Sequence, residues 1–164
     1  MVSVPRRTRA GRPRQAAPRA AGHPPAARVP APGLWVVVLA AGGSRRFGRP
    51  KLLHRLGPAT LLQRAALLGR QVAGPRCVVV LGAHASRMAA ELRGTGVRWI
   101  VNRRWADGMS SSLRVAIAAL PRDATAALVL LADQYAVQPR DLERLVGAWR
   151  RRPDRIVASG WDGL

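Results

Sequence analysis

Seven apolar residues in a row, Leu34 to Ala40 (LWVVVLA), run directly into the loop AGGSRRFGRPK at 41–51. This junction constrains the fold more than any other feature. An unbroken apolar run of this length suits a strand buried on both faces, as in parallel sheets. Glycines placed straight after it allow positive φ and close approach of the backbone to a ligand.

The rest of the chain alternates in the same way. Leu61, Ala65, Leu68 and Val72 share one helical face, with Thr60 and Gln63 at capping-box spacing before it. Cys77 to Leu81 reads as a second buried strand, followed by a short helix carrying Met88 and Leu92. Val97 to Val101 reads as a third strand. Met109, Leu113, Ala116 and Leu120 line the next helix, which Pro121 helps to end. Ala127 to Leu131 is a fourth strand. Pro139 opens a helix with Leu142, Leu145, Val146 and Trp149 as its apolar stripe. Ile156 to Ser159 is expected to begin a fifth strand. This order predicts an α/β, Rossmann-like three-layer domain over 34–164 with a mostly parallel sheet. Ligands of such sheets bind beyond the carboxyl ends of the strands. Three loops fall there: 41–51, 102–112 and 133–138.

The net charge is +20. Residues 1–33 hold seven arginines and no acid, and their proline content points to a disordered arm. The remainder keeps 21 basic and 8 acidic residues, a net of +13. That balance suits anionic partners, although arginine is abundant throughout and much of it suits plain solvated surface. The arm has no apolar stretch after its arginines, which argues against a secretory signal. No apolar run approaches the ~20 residues that span a membrane. Cys77 is the sole cysteine, so neither a disulfide nor a cysteine-based metal site can be built from it. A reducing, cytoplasmic setting is expected.

Within the first loop, Gly42, Gly43 and Gly48 permit a backbone cradle for phosphate. Ser44 can donate a hydrogen bond, and Arg46 and Lys51 can neutralise phosphate charge. Lys51 is the chain's one lysine. Gly43 and Gly48 have P-loop spacing, but Arg49 and Pro50 follow where Lys-Ser/Thr is required. Adjacent Gly42 and Gly43 also rule out the dinucleotide fingerprint. An ordinary glycine-rich connection would satisfy the same residues.

Asn102 and the serines at 110–112, in VNRRWADGMSSSL, offer directional hydrogen bonds to a base or ribose, and Gly108 a turn. The same segment would equally serve as a turn and helix start. Asp133 ends an apolar strand in LVLLADQYAV, where a carboxylate needs a cation, water or a hydrogen-bonding loop. His54 and His84 lack a second ligand at metal spacing, and Asp107 suits a turn.

The three segments together resemble the MobA-like nucleotidyltransferases. The pattern L-A-A-G-x-S-x-R-x-G then P-K is carried by Leu39, Ala40, Ala41, Gly42, Ser44, Arg46, Gly48, Pro50 and Lys51. N-x-x-W-x-x-G-M-x-x-S-L is matched by Asn102, Trp105, Gly108, Met109, Ser112 and Leu113. Asp133 falls in a segment similar to L-L-A-D-Q-P, with Tyr135 in place of proline. That exchange is expected to loosen the turn. The LAAG form resembles the branch containing molybdenum cofactor cytidylyltransferase, which joins CMP from CTP to molybdopterin and releases pyrophosphate.

The resemblance implies a nucleotide site of Leu39, Ala40, Ala41, Gly42, Gly43, Ser44, Asn102, Gly108 and Ser112. Arg46 and Lys51 would act on the triphosphate, and Asp133 would hold Mg²⁺. Trp105 is expected to pack. A molybdoenzyme partner is also implied, whereas nucleic-acid binding is not. Family members run on beyond the pair matched by Asp162 and Gly163, with a second metal-binding acid and much of the acceptor site. This chain ends at Leu164, so a C-terminally truncated domain is expected. Two other readings stay open: a nucleotide-binding module with impaired catalysis, and a basic nucleic-acid-binding protein that uses its arm.

Overall fold

A computed structural model describes residues 32–44 and 48–160. The expected arm lies outside them except for Pro32 and Gly33, which form a turn against Thr125. The Thr125 backbone N–H donates to the Gly33 carbonyl at 2.9 Å.

The elements follow the expected alternation. They are β1 (Leu34–Ala40), β2 (Arg55–Leu56), β3 (Ala59–Thr60), α1 (Leu61–Ala73), β4 (Cys77–Leu81), α2 (Ala85–Leu92), β5 (Arg98–Val101), α3 (Met109–Ala118), β6 (Ala126–Leu131) and α4 (Pro139–Arg151). Strands β5-β4-β1-β6 form one parallel sheet in that spatial order. In β1 every residue is buried, as its unbroken apolar run requires. The β2–β3 hairpin was not foreseen; two residues per strand leave no periodicity to read.

Alternate residues of the strands define the two faces. Val36, Val38, Cys77, Val79, Leu81 and Leu130 pack beneath α1, α2 and α4. Val37, Leu39, Val78 and Val80 pack against α3 through Ala116. Helices therefore cover both faces, giving the three-layer α/β fold. Helix α1 starts with a complete capping box: Thr60 Oγ1 accepts from the Gln63 N–H, and Gln63 Oε1 accepts from the Thr60 N–H. Gly69 lets this helix approach the sheet. A Cβ there would lie 2.8 Å from Cys77 Sγ and 2.9 Å from Val36 Cγ1.

Two expectations are corrected. Ile156 to Ser159 forms no strand; Ile156 is fully exposed, and among the described residues no neighbour pairs with the segment. The α3 stripe also differs. Ser111, Ser112 and Ala116 are its buried residues, while Met109 is 62% exposed and Leu113 and Ile117 also face outward. The buried serines are held by Asn102, and that polar anchor fixes the helix rotation in place of the apolar period.

Candidate functional site

Strand order reverses beside β1. The chain leaves β1 for β4 on one side, whereas β6 pairs on the other. A crevice opens at such a switch point, between the loops leaving the two adjacent strands. Here those are the loops after β1 and β6, and their charged residues meet: Lys51 Nζ lies 3.2 Å from Asp133 Oδ2. Parallel pairing causes this. Val38 aligns with Leu130 and Leu39 with Leu131, and the Ala132 N–H donates to the Leu39 carbonyl at 3.1 Å. Leu39 and Ala40 thus contribute as buried strand residues.

Lys51 opens a 3-10 turn, Lys51–Leu53, pinned by buried Leu52. Its backbone N–H donates to Ser44 Oγ at 3.2 Å, which ties Lys51 to the end of β1's exit. Ser44 itself sits in the left-handed region (φ 49°). The hydroxyl acts as acceptor in this bond, so its proton is not consumed by it. Arg46 lies outside the described residues.

The loop's glycines differ in what they require. A Cβ on Gly43 would come within 3.0 Å of the Trp105 ring, so Gly43 is small because it packs. Among the described residues, a Cβ on Gly42 would meet nothing within 4 Å. Packing against the described residues therefore does not explain glycine at 42.

Trp105 holds the loops in register. Besides touching Gly43, it lies over Gly82, where a Cβ would be 2.5 Å from Trp105 Cβ and 2.6 Å from the Ala41 carbonyl oxygen. The Ala83 N–H donates to that same carbonyl at 3.0 Å. The packing role expected of Trp105 is the one observed. Gly82 was missed: in sequence it is only a glycine ending a strand, and its partners are 41 and 105.

Asn102 is 2% exposed. Its Nδ2 donates to Ser111 Oγ (2.8 Å) and Ser112 Oγ (3.0 Å), and its Oδ1 accepts from the Arg104 N–H (2.9 Å). These polar atoms organise the 103–108 loop from below. Gly108, with φ 99°, makes the turn into α3 and is exposed. Asp107 pairs with Arg104 within the loop at 2.7 Å, a turn contact as expected.

At position 135 tyrosine keeps a backbone donor. The Tyr135 N–H donates to the Asp133 carbonyl at 3.0 Å, a bond proline cannot make, and the Gln134 N–H donates to Leu131.

Asp133 is half exposed at a strand end and already holds one cation, the Lys51 ammonium. A hard divalent ion suits that position. Mg²⁺ is commonly held by one or two carboxylates, with substrate phosphates and water supplying the rest. Among the described residues there is no cluster of three or more His, Cys, Asp or Glu side chains that would hold a metal by itself. His54 and His84 are both exposed. Among the described residues no helix is long and apolar enough to cross a membrane.

Comparisons with known proteins agree with this layout. The model of the MobA-like NTP transferase domain matches residues 36–164. Nicotine blue oxidoreductase of Paenarthrobacter nicotinovorans is 34% identical over 129 residues, 78% of this chain and 62% of that protein. Rv0371c of Mycobacterium tuberculosis H37Rv superimposes with a TM-score of 0.61 at 34% identity, covering 70% of this chain and 58% of that one. A nucleotidyl transferase from Methanothermobacter gives 0.58 at 32% identity, covering 70% and 56%. The chain thus spans about three fifths of the length of these relatives. With the family match running through all three loops, the chain belongs to the MobA-like NTP transferase family.

Proposed function

We propose that this domain binds a nucleoside triphosphate, with CTP as the favoured base, and transfers its nucleotidyl group to a phosphorylated acceptor. The observation that carries the reading is the Lys51–Asp133 juxtaposition at the switch point, beside a glycine loop in which no described residue packs against Gly42. The loop's backbone N–H groups and the Ser44 hydroxyl would cradle phosphate. Lys51 and Arg46 would neutralise the charge that develops on the triphosphate. Asp133 would hold Mg²⁺, which when bound supplies a further positive charge on phosphate oxygens. Asn102 and Ser112 would act by shaping the loop that carries Gly108, which borders the nucleotide.

In the proposed reaction an acceptor phosphate oxygen attacks the α-phosphorus in line. One P–O bond forms, the bond to the β-phosphate bridge breaks, and pyrophosphate leaves. Nothing in this requires a covalent protein intermediate, so positioning and charge neutralisation carry the catalysis. The LAAG form of residues 39–42 supports CTP and, by the same resemblance, molybdopterin as acceptor, while the single, buried Cys77 supports a reducing, cytoplasmic setting.

The test is release of pyrophosphate from CTP with Mg²⁺ and a phosphorylated acceptor, run alongside GTP and ATP. Acceptor-dependent release that is fastest with CTP supports the reading. Release fastest with GTP or ATP reassigns the base. Binding of CTP without release under any acceptor favours a nucleotide-binding module. Affinity for polynucleotide that falls steeply with salt, without affinity for CTP, favours the nucleic-acid reading.

A further inference from the structure

We propose that Lys51 serves as the free protein's own counter-cation at Asp133, so that nucleotide and divalent cation support one another's binding through this single lysine. The inference takes the nature of the anion from the nucleotide-site reading above; its cation half stands on the ion pair alone.

Two ligands are assigned here to two residues that already bind each other. Asp133 has Lys51 as its one ion-pair partner among the described residues, at 3.2 Å. While the ammonium rests there, it occupies the carboxylate oxygen that a divalent ion would use. While the carboxylate rests there, it satisfies the charge that a triphosphate would attract. Each ligand therefore competes with one half of the pair and is helped by removal of the other half. Such coupling is reciprocal by thermodynamic necessity.

The geometry makes the pair easy to exchange. The Lys51 backbone is fixed at both ends, by its N–H bond to Ser44 Oγ and by its carbonyl, which accepts from the His54 N–H at 3.0 Å. Its side chain is 40% exposed and that of Asp133 49%. Only the flexible four-carbon stem has to turn, with no backbone movement. An ion pair this exposed is weak, and a multiply charged phosphate chain offers the ammonium a stronger partner. The loop that holds Lys51 is the glycine loop assigned to the phosphates, so the lysine can pass from one to the other in place.

The experiment has two arms that do not confound each other. In the first, Mn²⁺ alone is titrated into the nucleotide-free chain, with free Mn²⁺ read by electron paramagnetic resonance. Lys51→Met is expected to bind Mn²⁺ about three- to tenfold more tightly than wild type. The double variant Lys51→Met with Asp133→Asn is expected to lose that gain. In the second arm CTP is titrated in EDTA, without metal. Asp133→Asn is expected to bind it about three- to tenfold more tightly than wild type, because Lys51 is released. Lys51→Gln replaces Lys51→Met should the latter melt early.

Equal Mn²⁺ affinity in wild type and the Lys51 variant overturns the proposal, as does a gain that survives in the double variant. If metal-free CTP binds neither wild type nor Asp133→Asn, the coupling to nucleotide is overturned together with the reading beneath it. The Mn²⁺ arm would then still decide whether lysine and cation compete.

Discussion

Lys51 and Asp133 lie 82 positions apart in the chain, yet their side chains meet at 3.2 Å where β1 and β6 both end. Nothing local to either residue produces this contact. It follows from parallel pairing of the two strands and from the hydrogen bond between the Lys51 N–H and Ser44 Oγ. The pair is exposed, so its share of folding stability is small. Lys51→Ala is expected to change stability by less than about 1 kcal/mol and to cut nucleotidyl transfer by about 10²- to 10³-fold. Chemical denaturation beside a pyrophosphate assay checks both. Equal activity of the variant would contradict the role given to Lys51.

Gly42 and Gly43 are neighbours with opposite demands. The Gly42→Ala methyl meets no atom of the described residues within 4 Å, so the variant should fold with its melting temperature unchanged. Its methyl group enters the space assigned to phosphate, and CTP affinity is expected to fall by about tenfold. Gly43→Ala must displace the Trp105 ring and should lower the melting temperature itself. Thermal melts with and without CTP separate the two effects.

Asn102→Ala would leave Ser111 and Ser112, both buried, without their shared donor and the Arg104 N–H without its acceptor. The expected cost is about 1–3 kcal/mol, measured by urea denaturation. CTP affinity should fall as well, because the 103–108 loop loses its anchor. A stable variant with unchanged affinity would remove Asn102 from the site.

Much of the fold could be read from residue pattern, because burial on both faces writes itself as unbroken apolar runs. β1 and β4 coincide with their runs for that reason. α1 is announced by Thr60, Gln63 and its stripe. Patterns failed where a distant contact decided the outcome. The rotation of α3 is set by Asn102 holding two serines, and no apolar period encodes that. Ile156 to Ser159 has strand composition but no pairing partner among the described residues. The site divides in the same way. The glycine loop and Asp133 stood out by residue type at strand ends, whereas Gly82 and the small size required of Gly43 depend on Trp105. Tyr135 supplies a backbone donor to the Asp133 carbonyl, which the residue type alone does not reveal.

Cys77 gives a pH dependence with a definite sign. Burial pushes its thiol from 9.0 up to about 12, against a smaller downward pull from Arg70. In the unfolded chain the thiol ionises near its ordinary value, while the folded chain keeps it protonated. The folded state therefore binds more protons in that window, and its stability falls as pH rises from 9 toward 12. Below pH 9 this contribution is complete. Denaturation at a series of pH values should show a shallower alkaline decline in Cys77→Ala than in wild type. Identical slopes would contradict the buried-thiol account.

The central claim is that the loops after β1, β5 and β6 assemble one nucleoside triphosphate site. Calorimetric titration of the purified chain with CTP and Mg²⁺, with GTP and ATP as comparisons, tests it most directly. The account predicts saturable, Mg²⁺-dependent binding that is tightest for CTP and is lost in Lys51→Ala. A chain that is demonstrably folded yet binds none of the three nucleotides would contradict it.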